Sequence, residues 1–230
     1  PKYKSKILQE DVFEADSEVY EWLIENTTLS QETIEYFQSR GITEKTLNDF
    51  EFDFQPSLNK AKIKDLETLR FLDNKENVLF YGNSGVGKTH LAVALGVAAA
   101  KTRNITYFIS CHDLITQLNK AHAENRLENK LKHYAKYKLL IIDEIGYLPI
   151  DRQGANLFFQ LINKRYEKNS TIITTNQPFS KWGEIFSDPT LANAILDRLI
   201  HHSTVIKITG PSYRLKDKMD LLETKVNNKN

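Results

Sequence analysis

The sequence predicts a three-layer α/β fold, a parallel five-stranded sheet between helices, and three observations carry that prediction. From residue 78 onward, short β-branched and apolar runs alternate with longer helical patterns, as parallel strands joined by crossover helices do. Leu139, Leu140, Ile141 and Ile142 form an unbroken apolar run, the pattern of a strand buried on both faces. A glycine-rich turn from Gly82 to Thr89 stands between a short apolar run and an alanine-rich segment, where a strand would hand over to a helix. The 230 residues, 40% hydrophobic and 27% charged, suit one domain of about 150–200 residues with an appendage. They exclude collagen, coiled coil and wholesale disorder.

Taken in order, residues 1–49 read as a small acidic helical region. Val19, Trp22, Leu23 and Ile24 mark one apolar stripe, Ile34 and Phe37 the next, and Gly41 stands where a helix would end. Phe50, Phe52 and Phe54 then alternate ahead of Pro56, and a helix runs through Leu66 and Leu69. The expected strands are 78–81, 106–110, 139–143, 171–175 and 204–209. Helices are expected near 89–102, 113–134, 152–167 and 190–201. The domain boundaries that follow are 1–49 for the acidic region, 50–218 for the core and 219–230 for a flexible tail.

No apolar run approaches the roughly 20 residues that cross a bilayer; the longest, 91–100, is rich in alanine. The first residues lack the apolar stretch of a signal peptide, and a chain that opens at Pro1 rather than Met reads as trimmed. A single cysteine, Cys111, makes no internal disulfide, so a cytoplasmic location is expected. The formal charge of +1 hides an asymmetry. Residues 1–55 carry five Lys/Arg against thirteen Asp/Glu, whereas 56–230 carry twenty-six against seventeen. A basic body suits contact with nucleic acid and is also common among proteins that make none.

Gly82-Asn83-Ser84-Gly85-Val86-Gly87-Lys88-Thr89 fits the G-x-x-x-x-G-K-[ST] phosphate loop at every fixed position. Glycines let the backbone wrap close enough for N–H groups to meet phosphate oxygens, and the helix start adds its dipole. Lys88 supplies a point charge to the β- and γ-phosphates, and the Thr89 hydroxyl suits Mg2+. Asp143 and Glu144 end the apolar strand, where acids point into the crevice at the carboxyl edge of a parallel sheet. Asp143 is the candidate to hold the metal through water and Glu144 the candidate general base. If the strand 171–175 pairs beside this one, Asn176 lies near the γ-phosphate and the attacking water; it would also suit a cap before the turn at Pro178. Arg198 and Arg214 are ambiguous on local grounds alone.

This ordered set resembles an AAA+ ATPase of the DnaC/IstB branch, and within it IstB, the transposition helper ATPase of insertion sequences. The resemblance rests on the phosphate loop, Ile141-Ile142-Asp143-Glu144 with Ile145 to Pro149, Thr174-Thr175-Asn176, Ile195 to Ser203, and Gly210 to Lys216. The aromatic stretch from Phe50 to Leu58 is similar too, and the resemblance covers about residues 46–218. It implies that Arg198 is an arginine finger completing a neighbour's ATP site, Asn176 a first sensor and Arg214 a second. It also implies a reduced C-terminal lid. Residues 120–138, with Lys120, Arg126, Lys130 and Lys132, correspond to helices that meet nucleic acid in this branch; a solvated face is the plainer alternative. One departure is the acidic start, since IstB proteins usually begin with a basic helical region. A segment of that charge would be repelled by DNA, so it is expected to bind protein, regulate assembly or shield the core.

The resemblance therefore implies an ATPase, using ATP and Mg2+, that oligomerises on duplex DNA and assists the transposase of its element in target capture, with no membrane involved. A replicative helicase loader of the DnaC kind, acting on single-stranded DNA and a helicase, is the nearest alternative. A P-loop small-molecule kinase is disfavoured by the Asp143-Glu144 pair. A scaffold that ATP only cements is the third.

Overall fold

Five strands build one parallel sheet: β1 (Asn77–Gly82), β2 (Thr106–Ser110), β3 (Leu139–Ile145), β4 (Ser170–Thr175) and β5 (Ser203–Ile208). Their order across the sheet is β2-β3-β4-β1-β5, and every neighbouring pair runs parallel. The computed structural model describes residue 50 and residues 52–215. The acidic region expected over 1–49, with its apolar stripes, and the tail expected over 219–230 lie outside the described residues.

The helices are α1 (Lys60–Glu67), α2 (Arg70–Asp73), α3 (Lys88–Lys101), α4 (Cys111–Ala123), α5 (Leu127–Ala135), α6 (Arg152–Arg165), α7 (Trp182–Ile185) and α8 (Pro189–Ile200). Among the longer helices, α4, α6 and α8 start on ordinary side-chain caps. Ser110 Oγ accepts the Asp113 N–H at the head of α4, Asp151 the Gly154 N–H at the head of α6, and Asp188 the Leu191 N–H ahead of Pro189 in α8.

Strand alternation sorts the core into two layers. Leu79, Leu140, Ile142 and Ile173 face α4 to α8, packing with Leu118, Leu131, Phe158 and Ile195. Val78, Phe80, Ile141 and Ile172 face the other way, against Ile63, Phe71, Leu91 and Leu95 of α1 to α3. The expected three-layer architecture is the observed one.

Two local expectations change. The helix expected over 113–134 is two helices, because Asn125 takes a left-handed φ of 54°. That turn lets the Arg126 N–H close back on the Ala121 carbonyl at 2.8 Å, a helix ending that Asn tolerates well. The helix expected through Leu66 and Leu69 ends at Glu67, because Leu69 takes a left-handed φ of 61°.

Arg165, at the end of α6, ties the end of α5 to the start of β4. It is 1% exposed, and its guanidinium donates to the carbonyls of Tyr134, Tyr137 and Ser170 and to Thr171 Oγ1. Burial pushes its pKa down to about 9, so it stays charged at neutral pH.

Candidate nucleotide site

The strand order places the motifs side by side. β4 lies between β1, which runs into the phosphate loop, and β3, which ends in the acids. Thr175 of β4 is level with Tyr81 of β1 and with Ile145 of β3, so the three strands finish flush.

At the loop, Gly87 is the cap of α3 with a φ of 95°. A Cβ there would lie 2.5 Å from Phe50 Cε2. Gly85, at φ 80°, has the Ser212 hydroxyl where a Cβ would stand. The loop is thus closed in by aromatic and C-terminal segments that only glycine admits. Lys88 is nearly buried, and its ammonium donates to the carbonyls of Gly82 at 2.8 Å and Asn83 at 2.6 Å. These are neutral acceptors, which the more strongly charged oxygens of a phosphate would outcompete.

Thr89 Oγ1 donates toward the carboxylate of Asp143, 2.9 Å from Oδ1 and 3.1 Å from Oδ2. Asp143 is wholly buried and also accepts from the hydroxyl of Thr174. The same Thr174 oxygen accepts the backbone N–H of Glu144 at 2.9 Å. The β3–β4 register shifts between Ile142 and Ile145, and Glu144 within that bulge has a φ of 63°. Bulges of this kind re-aim side chains beside active sites, and a left-handed glutamate is uncommon enough to mark a functional position. Cys111, starting α4 beside Asp143, is buried; burial and then the Asp143 charge raise its thiol to about 12, so it stays protonated.

Asn176 follows β4, and its Oδ1 is buried without a hydrogen-bond partner among the described residues. A buried carbonyl oxygen of this kind costs stability unless something donates to it, which fits an ordered water or ligand group at the strand end. The oxygens of Thr89 and Asp143 are the hard donors that suit Mg2+.

Arg214 is exposed on a short turn (Tyr213–Leu215). The Tyr213 N–H donates to the Gly85 carbonyl at 2.9 Å, which brings this C-terminal segment against the phosphate loop. Arg198 belongs to a different face. Its Nε donates to Asn163 Oδ1 at 2.9 Å, another guanidinium nitrogen to the Ala194 carbonyl, and its plane covers Phe159 at 4.7 Å. The α6–α8 pair therefore holds the Arg198 side chain against its own helices.

The basic residues gather on α4, α5 and the turn between them. Lys120 is exposed; Arg126 pairs with Glu124; Lys132 lies 3.7 Å from Glu128. Lys130 differs, being partly buried with its ammonium over the Tyr134 ring at 5.1 Å. Burial and then the neighbouring Arg126 charge lower its pKa. Thr174 is the residue that motif reading passed over. The strand itself does not single it out, because Ser170, Thr171 and Thr175 are polar and buried too.

No helix among the described residues is long and apolar enough to cross a membrane. Residues 32–220 match the family described as IstB-like ATP binding protein. The chain is 64% identical over 173 residues to a protein of insertion sequence IS232 from Bacillus thuringiensis subsp. berliner, named for ATP binding, covering 75% of this chain and 69% of that one. It is 52% identical over 174 residues to the corresponding IS21 protein of Pseudomonas aeruginosa, covering 76% of this chain and 66% of that one. Among solved structures, the DnaC helicase loader is 27% identical with a TM-score of 0.54, over 66% of this chain and 92% of the loader. The family match reaches from inside the acidic start to beyond Arg214, and the chain belongs to the IstB-like ATP-binding proteins, built on the P-loop AAA+ fold.

Proposed function

We propose that this chain hydrolyses ATP at a site shared between neighbouring copies, assembles on duplex DNA in the ATP state, and assists the transposase of its insertion sequence in target capture. The observation that carries the hydrolytic reading is the bulge at Asp143 and Glu144. One threonine holds both acids beside the phosphate loop, with the glutamate turned out of the strand.

In this reading the loop amides and Lys88 bind the phosphates of ATP. Thr89 and Asp143 would hold Mg2+, which would neutralise charge developing on the phosphates. Glu144 takes a proton from the attacking water, and Asn176 Oδ1 accepts from the same water and orients it. Arg214, carried by the segment bonded to Gly85, reaches the γ-phosphate from its own chain or an adjacent one. Arg198, held off on the α6–α8 face, acts on a neighbouring copy. Lys120, Arg126, Lys130 and Lys132 contact DNA phosphates without reading sequence. Residues 1–49 form a separate acidic region, 50–218 the ATPase core and 219–230 a tail, and the protein works in the cytoplasm.

The names of the relatives favour transposition; the likeness to the DnaC loader favours the second reading, action on single-stranded DNA and a helicase. Fluorescence anisotropy of labelled duplex and single-stranded DNA separates them, with ADP and with a non-hydrolysable ATP analogue at fixed salt. Cooperative duplex binding only with the analogue is the expected result. Preference for single strands would favour the loader, and no binding to either would remove DNA from the reading.

A further inference from the structure

At the amino edge of the sheet, opposite the phosphate loop, three potential metal ligands converge that the nucleotide chemistry does not use. Glu167 follows α6, and His201 and His202 follow α8. His202 Nε2 lies 3.3 Å from Glu167 Oε1, and His201 Nδ1 lies 3.9 Å from the same oxygen. One ligand atom from each residue falls within 4.8 Å of the others. All three side chains are about half exposed, which leaves a way in for an ion from solvent.

We propose that Glu167, His201 and His202 form a binding site for one Zn2+ ion, which clasps the ends of α6 and α8 together. Two imidazoles and a carboxylate are an established ligand set for zinc, with a fourth position left to water. Tetrahedral coordination at about 2.0–2.1 Å sets ligand atoms roughly 3.4 Å apart. The His202–Glu167 separation already meets that spacing, and the His201 separation needs a small closure.

The backbone around the ligands is fixed before any ion arrives. Glu167 sits in a turn at φ 56°, and the adjoining Lys168 N–H donates to the Arg165 carbonyl at 2.9 Å. Arg165 is itself held by the carbonyls of Tyr134, Tyr137 and Ser170. The His202 carbonyl accepts the Asn77 N–H at 2.8 Å, and the His201 N–H donates to the Asp197 carbonyl at 3.0 Å. Ligands on rigid supports lose little freedom on binding, which favours affinity.

One contact competes. The Tyr166 hydroxyl lies 2.6 Å from His201 Nδ1, so zinc at that nitrogen must displace it. Removing the hydroxyl should therefore tighten zinc binding, an effect that a purely hydrogen-bonded cluster does not predict. The clasp would also stiffen the helix pair against which Arg198 lies, through Asn163 and Phe159 on α6 and Ala194 on α8.

The test reads metal binding in the absence of nucleotide and DNA, so its outcome is independent of the proposed ATP chemistry. Tag-free, chelator-treated full chain is titrated with Zn2+ in competition with a chromophoric chelator. The wild type is compared with Glu167→Gln, His201→Ala with His202→Ala, and Tyr166→Phe, each checked for native circular dichroism. One Zn2+ per chain is expected, with affinity reduced about tenfold or more by Glu167→Gln and by the double histidine change. Affinity should be tighter in Tyr166→Phe, and an unchanged or weaker affinity would mean that zinc does not take the His201 nitrogen facing that hydroxyl. Co2+ in the same site should give the visible bands of a nitrogen-and-oxygen tetrahedral centre, lost in the double variant. Absence of stoichiometric binding, or binding that the double variant leaves intact, would overturn the assignment.

Discussion

The Thr174 hydroxyl holds both acids of the nucleotide site, donating to Asp143 and accepting the Glu144 N–H. It touches no reacting atom in the proposed reaction, so it acts as a positioning residue. Thr174→Val should lower kcat about tenfold to a hundredfold while ATP affinity changes little. Thr174→Ser, which keeps the oxygen, should restore most of the rate; equal loss in both would place the effect in packing instead. Lys88→Ala should lose nucleotide binding and assembly together, measured by labelled-nucleotide binding and light scattering. Glu144→Gln should bind ATP, hydrolyse it poorly and accumulate assemblies, and normal turnover would remove Glu144 as the base. The phosphate loop and both acids were legible because their chemistry demands fixed residue types at fixed spacings. Thr174 was not, because its role depends on which strand pairs with which.

At the scale of elements, the strands were legible to within a residue or two, since strands buried on both faces read as apolar or β-branched runs, here at 139–142 and 171–175. The division of the basic helix was missed because it turns on one left-handed residue, Asn125, in a segment whose polar face reads evenly throughout. That division brings α4, α5 and α6 into contact, and Arg165 joins the ends of α5 and α6 to β4. Arg165→Met would keep the volume and strand the carbonyls of Tyr134, Tyr137 and Ser170 in the interior. A loss of about 2–5 kcal/mol is expected, read as a lower midpoint in denaturant unfolding. On the outer side of the same elements, Lys120→Glu with Lys132→Glu should weaken duplex binding uniformly across sequences. Each lost phosphate contact should flatten the salt slope by about one. An unchanged slope would mean these lysines only solvate the helix face.

For the whole molecule, the decisive geometric fact is that Arg198 and the phosphate loop of one chain occupy different faces. Tyr213 and Phe50 close over the loop, while Arg198 is committed to Asn163, Ala194 and Phe159. If the arginine works on the chain that carries it, its side chain must discard those contacts and reach the carboxyl edge of the sheet. If it works on a neighbour, the contacts are a support that aims it outward, and hydrolysis waits on assembly. Mixing two inactive variants separates these cases. A Glu144→Gln chain keeps Arg198, and an Arg198→Ala chain keeps Glu144. At the mixed interface where the second chain supplies the loop and acids and the first supplies the arginine, every part is present, so ATP turnover should reappear. Under action within one chain no mixed interface is complete, and turnover should stay at the level of either variant alone. The readout is phosphate release as a function of mixing ratio, highest near equal proportions, with co-assembly of differently labelled chains measured in the same samples. Co-assembly without any recovered turnover would refute the shared site.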